Sequence, residues 1–326
     1  MNEINLDVKD RKLLFELDMN ARASLTELSK KIGLSKQSID YRIKKLVKEG
    51  VINGFYTIIN TPKLGYMYTR FLIEFKDTAP EKEEEIIKYA LSRKDFGWIL
   101  TTEGRWNFTA VIWARDVSEI KNSVNEFIFR YGHYVKDYEI TIATAIYHFQ
   151  HKYLLNKKEG KVAMLTGKLE KPDIDKIDLG ILQILDKKAR ASLSEIGNKL
   201  KISYKVVSYR IKNLERKGII QGYRASINHQ ALGLTHYKVF LTMQNLTQKR
   251  LNGFKAFLQQ HPSVIYITES IGFADIEFEA LMKSHSDFYG LMKELRFNFS
   301  DIIKDYETLI LHKFYKISYL PEELVK

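Results

Sequence analysis

Residues Ser35–Gly50, SKQSIDYRIKKLVKEG, make a segment with a start, an apolar face and a stop. The Ser35 hydroxyl is placed to accept from an orphan backbone N–H two or three residues on, which caps a helix N-terminus. Ile39, Ile43, Leu46 and Val47 recur at spacings of three and four and give one apolar stripe. Lys36, Gln37, Asp40, Tyr41, Lys44, Lys45 and Lys48 lie off that stripe. Gly50 supplies a residue that turns left-handed at little cost and ends the helix. A second copy, SYKVVSYRIKNLERKG, runs from Ser203 to Gly218.

The copy belongs to a longer repeat. Ala21-Arg22-Ala23-Ser24-Leu25 returns as Ala189-Arg190-Ala191-Ser192-Leu193, Gly104 as Gly272, and Asp137-Tyr138-Glu139 as Asp305-Tyr306-Glu307. Every pair keeps one offset, 168 residues, so a unit of about 150 residues has been duplicated in tandem. Each unit opens with helical patterns. Asp7 and Asp175 precede leucine- and isoleucine-rich turns, and Ser24-x-x-Glu27 and Ser192-x-x-Glu195 read as capping boxes. The helix opened at Ser24 stops near Gly33, and Lys201 replaces that glycine in the second copy, which implies either a mildly strained turn there or a slightly different turn. After Gly50 the β-prone run Phe55–Ile59 suits a wing, so three helices and a short ribbon predict a winged helix-turn-helix.

The rest of each unit switches period. Thr69–Phe75, Gly97–Thr102, Phe108–Trp113 and Tyr134–Phe149 read as strands, with helices over Pro80–Lys94 and from Asp116. The order β-α-β-β-α-β predicts a four-stranded antiparallel sheet with both helices on one face. The fold class is therefore α+β: a tandem repeat of a winged helix-turn-helix plus a ferredoxin-like βαββαβ domain. The expected boundaries are 1–60, 66–155, a linker over 156–173 without sustained periodicity, 174–228 and 234–320. The linker's Gly160 and Gly167-Lys168 do not make a phosphate loop, because Val162 and Leu169 occupy positions that need glycine and Ser or Thr.

Composition narrows the function classes. The 326 residues are 45% hydrophobic and 28% charged, as expected of globular domains. There is no cysteine, which excludes disulfides and thiolate metal sites. No apolar run is long enough for a membrane span, and MNEINLDVKD lacks a signal-peptide core, so a cytoplasmic protein is expected. The net charge of +12 fits either a solvated lysine-rich surface or a nucleic-acid partner.

Leu6-Asp7, Asp10, Leu14, Asn20-Ala21-Arg22, Ile32-Gly33-Leu34-Ser35, Arg42-Ile43, Gly50-Val51-Ile52, Gly54-Phe55 and Leu64-Gly65 together resemble the Lrp/AsnC (feast/famine) family of transcriptional regulators. The second copy matches through Asp175, Asp178, Ala189-Arg190, Arg210-Ile211, Gly218-Ile219-Ile220, Gly222-Tyr223 and Leu232-Gly233. The resemblance implies an αβ domain that dimerises through its sheet and binds an amino acid or related effector. The family's Gly-x-x-Asp signature stands here as Gly272-Phe273-Ala274-Asp275, whereas Gly104-Arg105-Trp106-Asn107 loses the carboxylate. Gly104, Gly272 and Asp275 are the effector candidates. Two units on one chain suggest an intramolecular pseudo-dimer, with homo-oligomers built from it.

For double-stranded DNA, a helix in the major groove reads base edges while neighbouring cations meet phosphates. Lys36, Gln37, Asp40 and Tyr41 are the base-contact candidates of the first copy, and Arg42, Lys44, Lys45 and Lys48 the phosphate contacts. In the second copy Tyr204, Lys205, Ser208 and Tyr209 correspond to the first group, and Arg210, Lys212, Asn213 and Arg216 to the second. Arg42 and Arg210 could equally brace the helix bundle. Between Ile196 and Arg224, eight lysines and arginines, Arg224 among them, face the single acid Glu215. His148 and His151 are three apart, but no third ligand type completes a metal set, so they read as surface histidines. Trp98, Trp106 and Trp113 read as core or sheet-interface residues, and no cofactor or catalytic motif stands out. The expected function is a sequence-specific DNA-binding regulator without enzyme activity. Two alternatives remain: a fused pair similar to sirohaem decarboxylases, and a low-specificity architectural DNA-binding protein.

Overall fold

The computed structural model describes residues 4–76 and 78–325. Helix α1 (Val8–Leu17) starts where Asp7 accepts from the Asp10 N–H, and it buries Leu13, Leu14 and Leu17. Helix α2 (Leu25–Ile32) is capped by Ser24 and closed by Gly33. Helix α3 (Lys36–Lys48) begins at Ser35, which accepts from the Ser38 N–H at 3.1 Å. Ile39, Ile43 and Leu46 are buried, but Val47 is exposed: the stripe is narrower than its spacing suggests, because α3 packs along a single seam. In α2 the expected capping box keeps only its serine half among the described residues; Glu27 is drawn instead to Lys31, 3.1 Å away.

Strand β1 (Ile52–Ile59) leads into β2 (Met67–Phe75), helix α4 (Pro80–Ser92), β3 (Phe96–Glu103), β4 (Phe108–Ala114), α5 (Val117–Tyr131) and the long β5 (Val135–Phe149). The connecting stretch is not plain linker, since β6 (Val162–Thr166) pairs with the end of β5. Its five residues lack a visible period because what recruits them is an open strand edge on β5, beyond the reach of β2. The second half repeats the order: α6 (Lys176–Lys187), α7 (Leu193–Leu200), α8 (Tyr204–Arg216), β7 (Ile220–Ile227), β8 (Thr235–Met243), α9 (Gln248–Gln260), β9 (Val264–Gly272), β10 (Ile276–Met282), α10 (His285–Phe299) and β11 (Ile303–Ile317). A complete reciprocal capping box forms at α6, between Asp175 and Asp178. Lys201, at the place of Gly33, holds the left-handed conformation with φ 56°.

Each half forms an antiparallel four-stranded sheet, β5-β2-β4-β3 and β11-β8-β10-β9. The two sheets then share edges, because β3 pairs with β11 and β5 with β9, and the pairings run in a closed cycle of eight strands. Alternation assigns the faces. Phe71 and Ile73 of β2 pack under α4 and α5, and Val239, Leu241 and Phe278 pack under α9 and α10. The opposite faces meet one another. Leu72, Trp106, Phe240 and Leu309 fill part of that interior.

Ionised side chains fill another part. Glu277, fully buried, accepts from the Arg70 guanidinium and lies 2.7 Å from the Lys238 ammonium. Lys238 also reaches Glu279 at 3.0 Å, and His236 Nε2 sits 3.0 Å from the other oxygen of Glu279. Burial alone would raise the Glu279 pKa; Lys238 and His236 more than offset this and hold it well below the usual carboxylate range.

The helix-turn-helix units exchange partners. Strand β1 does not fold into a ribbon within its own half; it pairs antiparallel with β7, from Ile52 opposite Ile227 to Ile59 opposite Ile220. The core of α1–α3 includes Leu232, Leu234, Ile265 and Leu281 of the second half. That of α6–α8 includes Tyr66, Tyr68, Val111 and Trp113 of the first. Arg224 of β7 is wholly buried and locks the first of these contacts, with Nε 2.6 Å from Asp18 Oδ1 and Nη2 donating to the Phe149 carbonyl at 3.1 Å.

Glu277→Ala leaves the Arg70 guanidinium buried without its carboxylate. We expect a loss of about 3–5 kcal/mol, read from the urea midpoint of the full chain.

Candidate nucleic-acid interface

The stripe that buries Ile39, Ile43 and Leu46 turns the remainder of α3 outward. Lys36, Gln37, Tyr41, Lys44, Lys45 and Lys48 are exposed, and Tyr41 keeps 67% of its surface. Asp40 is half-buried and pairs with Lys44 at 2.6 Å, while Lys45 lies 3.8 Å from Glu49. On α8 the same geometry exposes Tyr204, Lys205, Tyr209, Lys212 and Arg216, with Ser208 and Asn213 half-buried. Arg216 donates to Asn213 Oδ1 at 2.8 Å. One helix thus presents mostly amine and amide groups, the other two phenols and fewer cations.

Of the two roles open to Arg42 and Arg210, the geometry displays the brace of the helix bundle. Arg42 Nη1 lies 2.7 Å from Asp7 Oδ2 and 2.6 Å from Asp10 Oδ1. Arg210 binds Asp175 and Asp178 in the same way. Asp10 and Asp178 are buried on the first helix of each unit, and a buried carboxylate needs a counterion. The arginine therefore ties the reading helix to the first helix. Burial pushes the Asp7 carboxyl up, but the Asp10 N–H and the Arg42 guanidinium together outweigh it and bring the group below its ordinary value; Asp175 is lowered by the Asp178 N–H and by Arg210. Arg224 is also withdrawn from the surface charge, since it is the buried partner of Asp18.

The two units touch through their repeated Ala-Arg-Ala-Ser segments. Arg22 Nη1 donates to the carbonyls of Ala189 and Ala191, at 2.6 and 2.7 Å. That contact places α8 beside the Arg22–Leu25 segment, and the charge of Asp40 on α3 is felt at Arg190. Both reading helices thus border one junction. The duplication exposed the segment in the sequence, but nothing local marked it as a contact.

The effector candidates occupy strand turns. Gly104 and Gly272 have φ 129° and 124°, and a Cβ on Gly272 would collide with the Ile140 carbonyl of the adjoining half. Asp275 accepts from the Met243 N–H at 2.7 Å, and Asn107 does the same for Phe75 at 2.8 Å. The lost carboxylate is therefore replaced by another acceptor in an equivalent backbone contact. His148 and His151 are not surface residues: they are 2% and 3% exposed, because α1 and the second half cover the end of β5. Burial, reinforced by Arg224, lowers both pKa values well below that of free histidine. His229, half-buried, stands between the buried His151 and His236, and the three rings form one row. Trp106 and Trp113 are buried as core residues. Among the described residues no group of His, Cys, Asp and Glu is placed to hold a metal, and no helix is long and apolar enough to cross a membrane.

A winged helix-turn-helix DNA-binding family model matches residues 6–53 and again 174–221. An uncharacterized HTH-type transcriptional regulator of Pyrococcus furiosus is 35% identical over 49% of this chain and 99% of its own length. The HTH-type transcriptional regulator LrpA of Pyrococcus horikoshii is 34% identical over 38% of this chain and 86% of its own. The whole architecture is similar to the crystal structure of the siroheme decarboxylase NirDL, with TM-score 0.63, 14% identity and coverage of 97% of this chain and 96% of that one. That likeness is one of fold.

Arg42→Ala and Arg210→Ala should each lower thermal stability, by about 1–3 kcal/mol, from loss of a charge-assisted pair to a buried carboxylate. Because the Asp7 and Asp175 pKa values are depressed in the folded state, their contribution is present above the unfolded value of 3.8 and fades as pH falls through the folded values. Melting curves at pH 7 and pH 3 should therefore differ less in the variants than in the parent.

Proposed function

We propose that this chain, which belongs to the Lrp/AsnC family of HTH-type transcriptional regulators, binds duplex DNA sequence-specifically with both reading helices supplied by one polypeptide. The observation that carries this reading is the junction of the two helix-turn-helix units at Arg22, Ala189 and Ala191, on a chain whose α3 and α8 keep the same cap and buried stripe but a different exposed set. Lys36, Gln37, Asp40 and Tyr41 face one half-site, and Tyr204, Lys205, Ser208 and Tyr209 the other. Lys44, Lys45 and Lys48, with Lys212, Asn213 and Arg216, meet the backbone. Unequal reading surfaces call for an asymmetric operator. The protein acts in the cytoplasm, and its copies associate through the exposed Phe129 of α5 and the equivalent Phe297 of α10. A small effector such as an amino acid acts at the turns of Gly104, Gly272 and Asp275.

An enzyme built on this plan is a second reading, favoured by the whole-chain likeness to NirDL, a decarboxylase whose structure is also known with an iron-uroporphyrin III analogue. The row of His151, His229 and His236 would be its natural centre. The exposed cations of α3 and α8 weigh for DNA instead.

Selection from a random duplex pool, followed by salt titration of the selected site, tests the first reading. Lys44→Ala or Lys212→Ala should weaken binding to all sequences and reduce the salt slope by about one, whereas Gln37→Ala should relax preference at one position. Absence of salt-sensitive duplex binding would sink it. A haem-like absorbance on mixing with sirohaem, without DNA binding, would establish the second.

A further inference from the structure

The junction between the two helix-turn-helix units carries more positive charge than its own residues neutralise. Arg22 and Arg190 occupy equivalent places in the repeat, and Arg22 reaches over to the carbonyls on either side of Arg190. Their environments differ. The Arg22 guanidinium lies 5.3 Å from the ring of Tyr223, whose hydroxyl donates to Glu215 at 2.8 Å, so an acid stands close by. Arg190 lies 5.0 Å from the ring of Phe55, which has no hydroxyl, and the residue equivalent to Glu215 is Val47. The acid felt at Arg190 is Asp40, already paired with Lys44 at 2.6 Å. Nη1 of Arg190 is buried and has no hydrogen-bond partner among the described residues. Burial and the neighbouring Arg22 both disfavour its charge.

Both arginines line an open cleft of about 470 Å³. Ser24, Ser192, Ser208 and Lys212 line it too, and Glu215 is its acid. Ser24 and Ser192 accept from the Glu27 and Glu195 N–H groups as helix caps. Their hydroxyl protons remain for an outside acceptor. A guanidinium fork, an ammonium and serine hydroxyls around one cleft match the oxygens of a phosphate, which arginine binds in bidentate fashion.

We infer that the cleft between Arg22 and Arg190 is a phosphate-binding site at the junction of the two helix-turn-helix units. A small turn of the Arg190 side chain off Phe55 would bring its unpartnered nitrogen to the ligand. The phosphate comes either from the DNA backbone, between the two half-sites, or from free phosphate. Only the DNA source rests on the function proposed above.

The test uses the full chain and Arg190→Gln, since Arg22 also holds the two units together. Thermal melts in inorganic phosphate and in chloride are compared at equal ionic strength, and duplex binding is titrated with salt. With a backbone phosphate, Arg190→Gln lowers the salt slope by about one and the association constant about eightfold at 0.1 M salt, on every sequence. With free phosphate, phosphate raises the parent's melting temperature, the substitution abolishes that rise, and the salt slope is unchanged. An unchanged slope together with no phosphate-specific melting shift overturns the site and leaves Arg190 a packing residue on Phe55. If the parent binds no duplex, the DNA reading fails and the melts still decide this inference. Should Arg190→Gln not fold, Arg190→Lys keeps the charge but loses the fork, and a melting response to phosphate as large as the parent's would equally overturn the site.

Discussion

A four-stranded sheet has two edges, and each edge carries a row of backbone N–H and C=O groups that must find partners. In this molecule the halves complete one another: β3 pairs with β11, β5 with β9, and no edge of either sheet's main body is left facing solvent along these seams. Everything else follows from that closure. It brings the inner faces together, so that they become an interior, and it sets the two helix-turn-helix units at one junction. It also explains why both copies of the unit stay on one chain: the covalent link holds the partner at high effective concentration.

The closure has an electrostatic cost that the sequence offsets. Glu277, Glu279, Arg70 and Lys238 lie on strand positions that would face water in an isolated sheet, and pairing removes that water. Such charges are tolerated only when matched, and the match here spans the halves, with Arg70 from β2 and Glu277 from β10. A slip by one residue in the pairing of β8 with β10 would place Lys238 and Glu277 on opposite faces and break their match. The same exchange occurs among the helices, where Asp18 of the first unit meets Arg224 of the second.

Duplication preserved the scaffold and let the surfaces diverge. The caps Ser35 and Ser203, the braces Arg42 and Arg210 and the closing glycines Gly50 and Gly218 recur, while Gln37 becomes Lys205 and Asp40 becomes Ser208. The divergence reaches the junction, where Phe55 replaces the tyrosine that keeps Arg22 near an acid. Two identical chains would lack that asymmetry.

The sequence by itself determined the features that depend on near neighbours. Helix starts, the stripe of Ile39, Ile43 and Leu46 and the β-α-β-β-α-β order are all local matters of spacing and backbone preference. Only the tertiary structure decided what depends on residues far along the chain. It gave β1 its partner in β7, drew β6 onto β5, turned Arg42 toward Asp7 and Asp10, and buried His148 and His151. The physical reason is the same throughout: alternation and periodicity tell which side chains share a face, but whether that face meets water or another part of the chain is settled by contacts that no local pattern records.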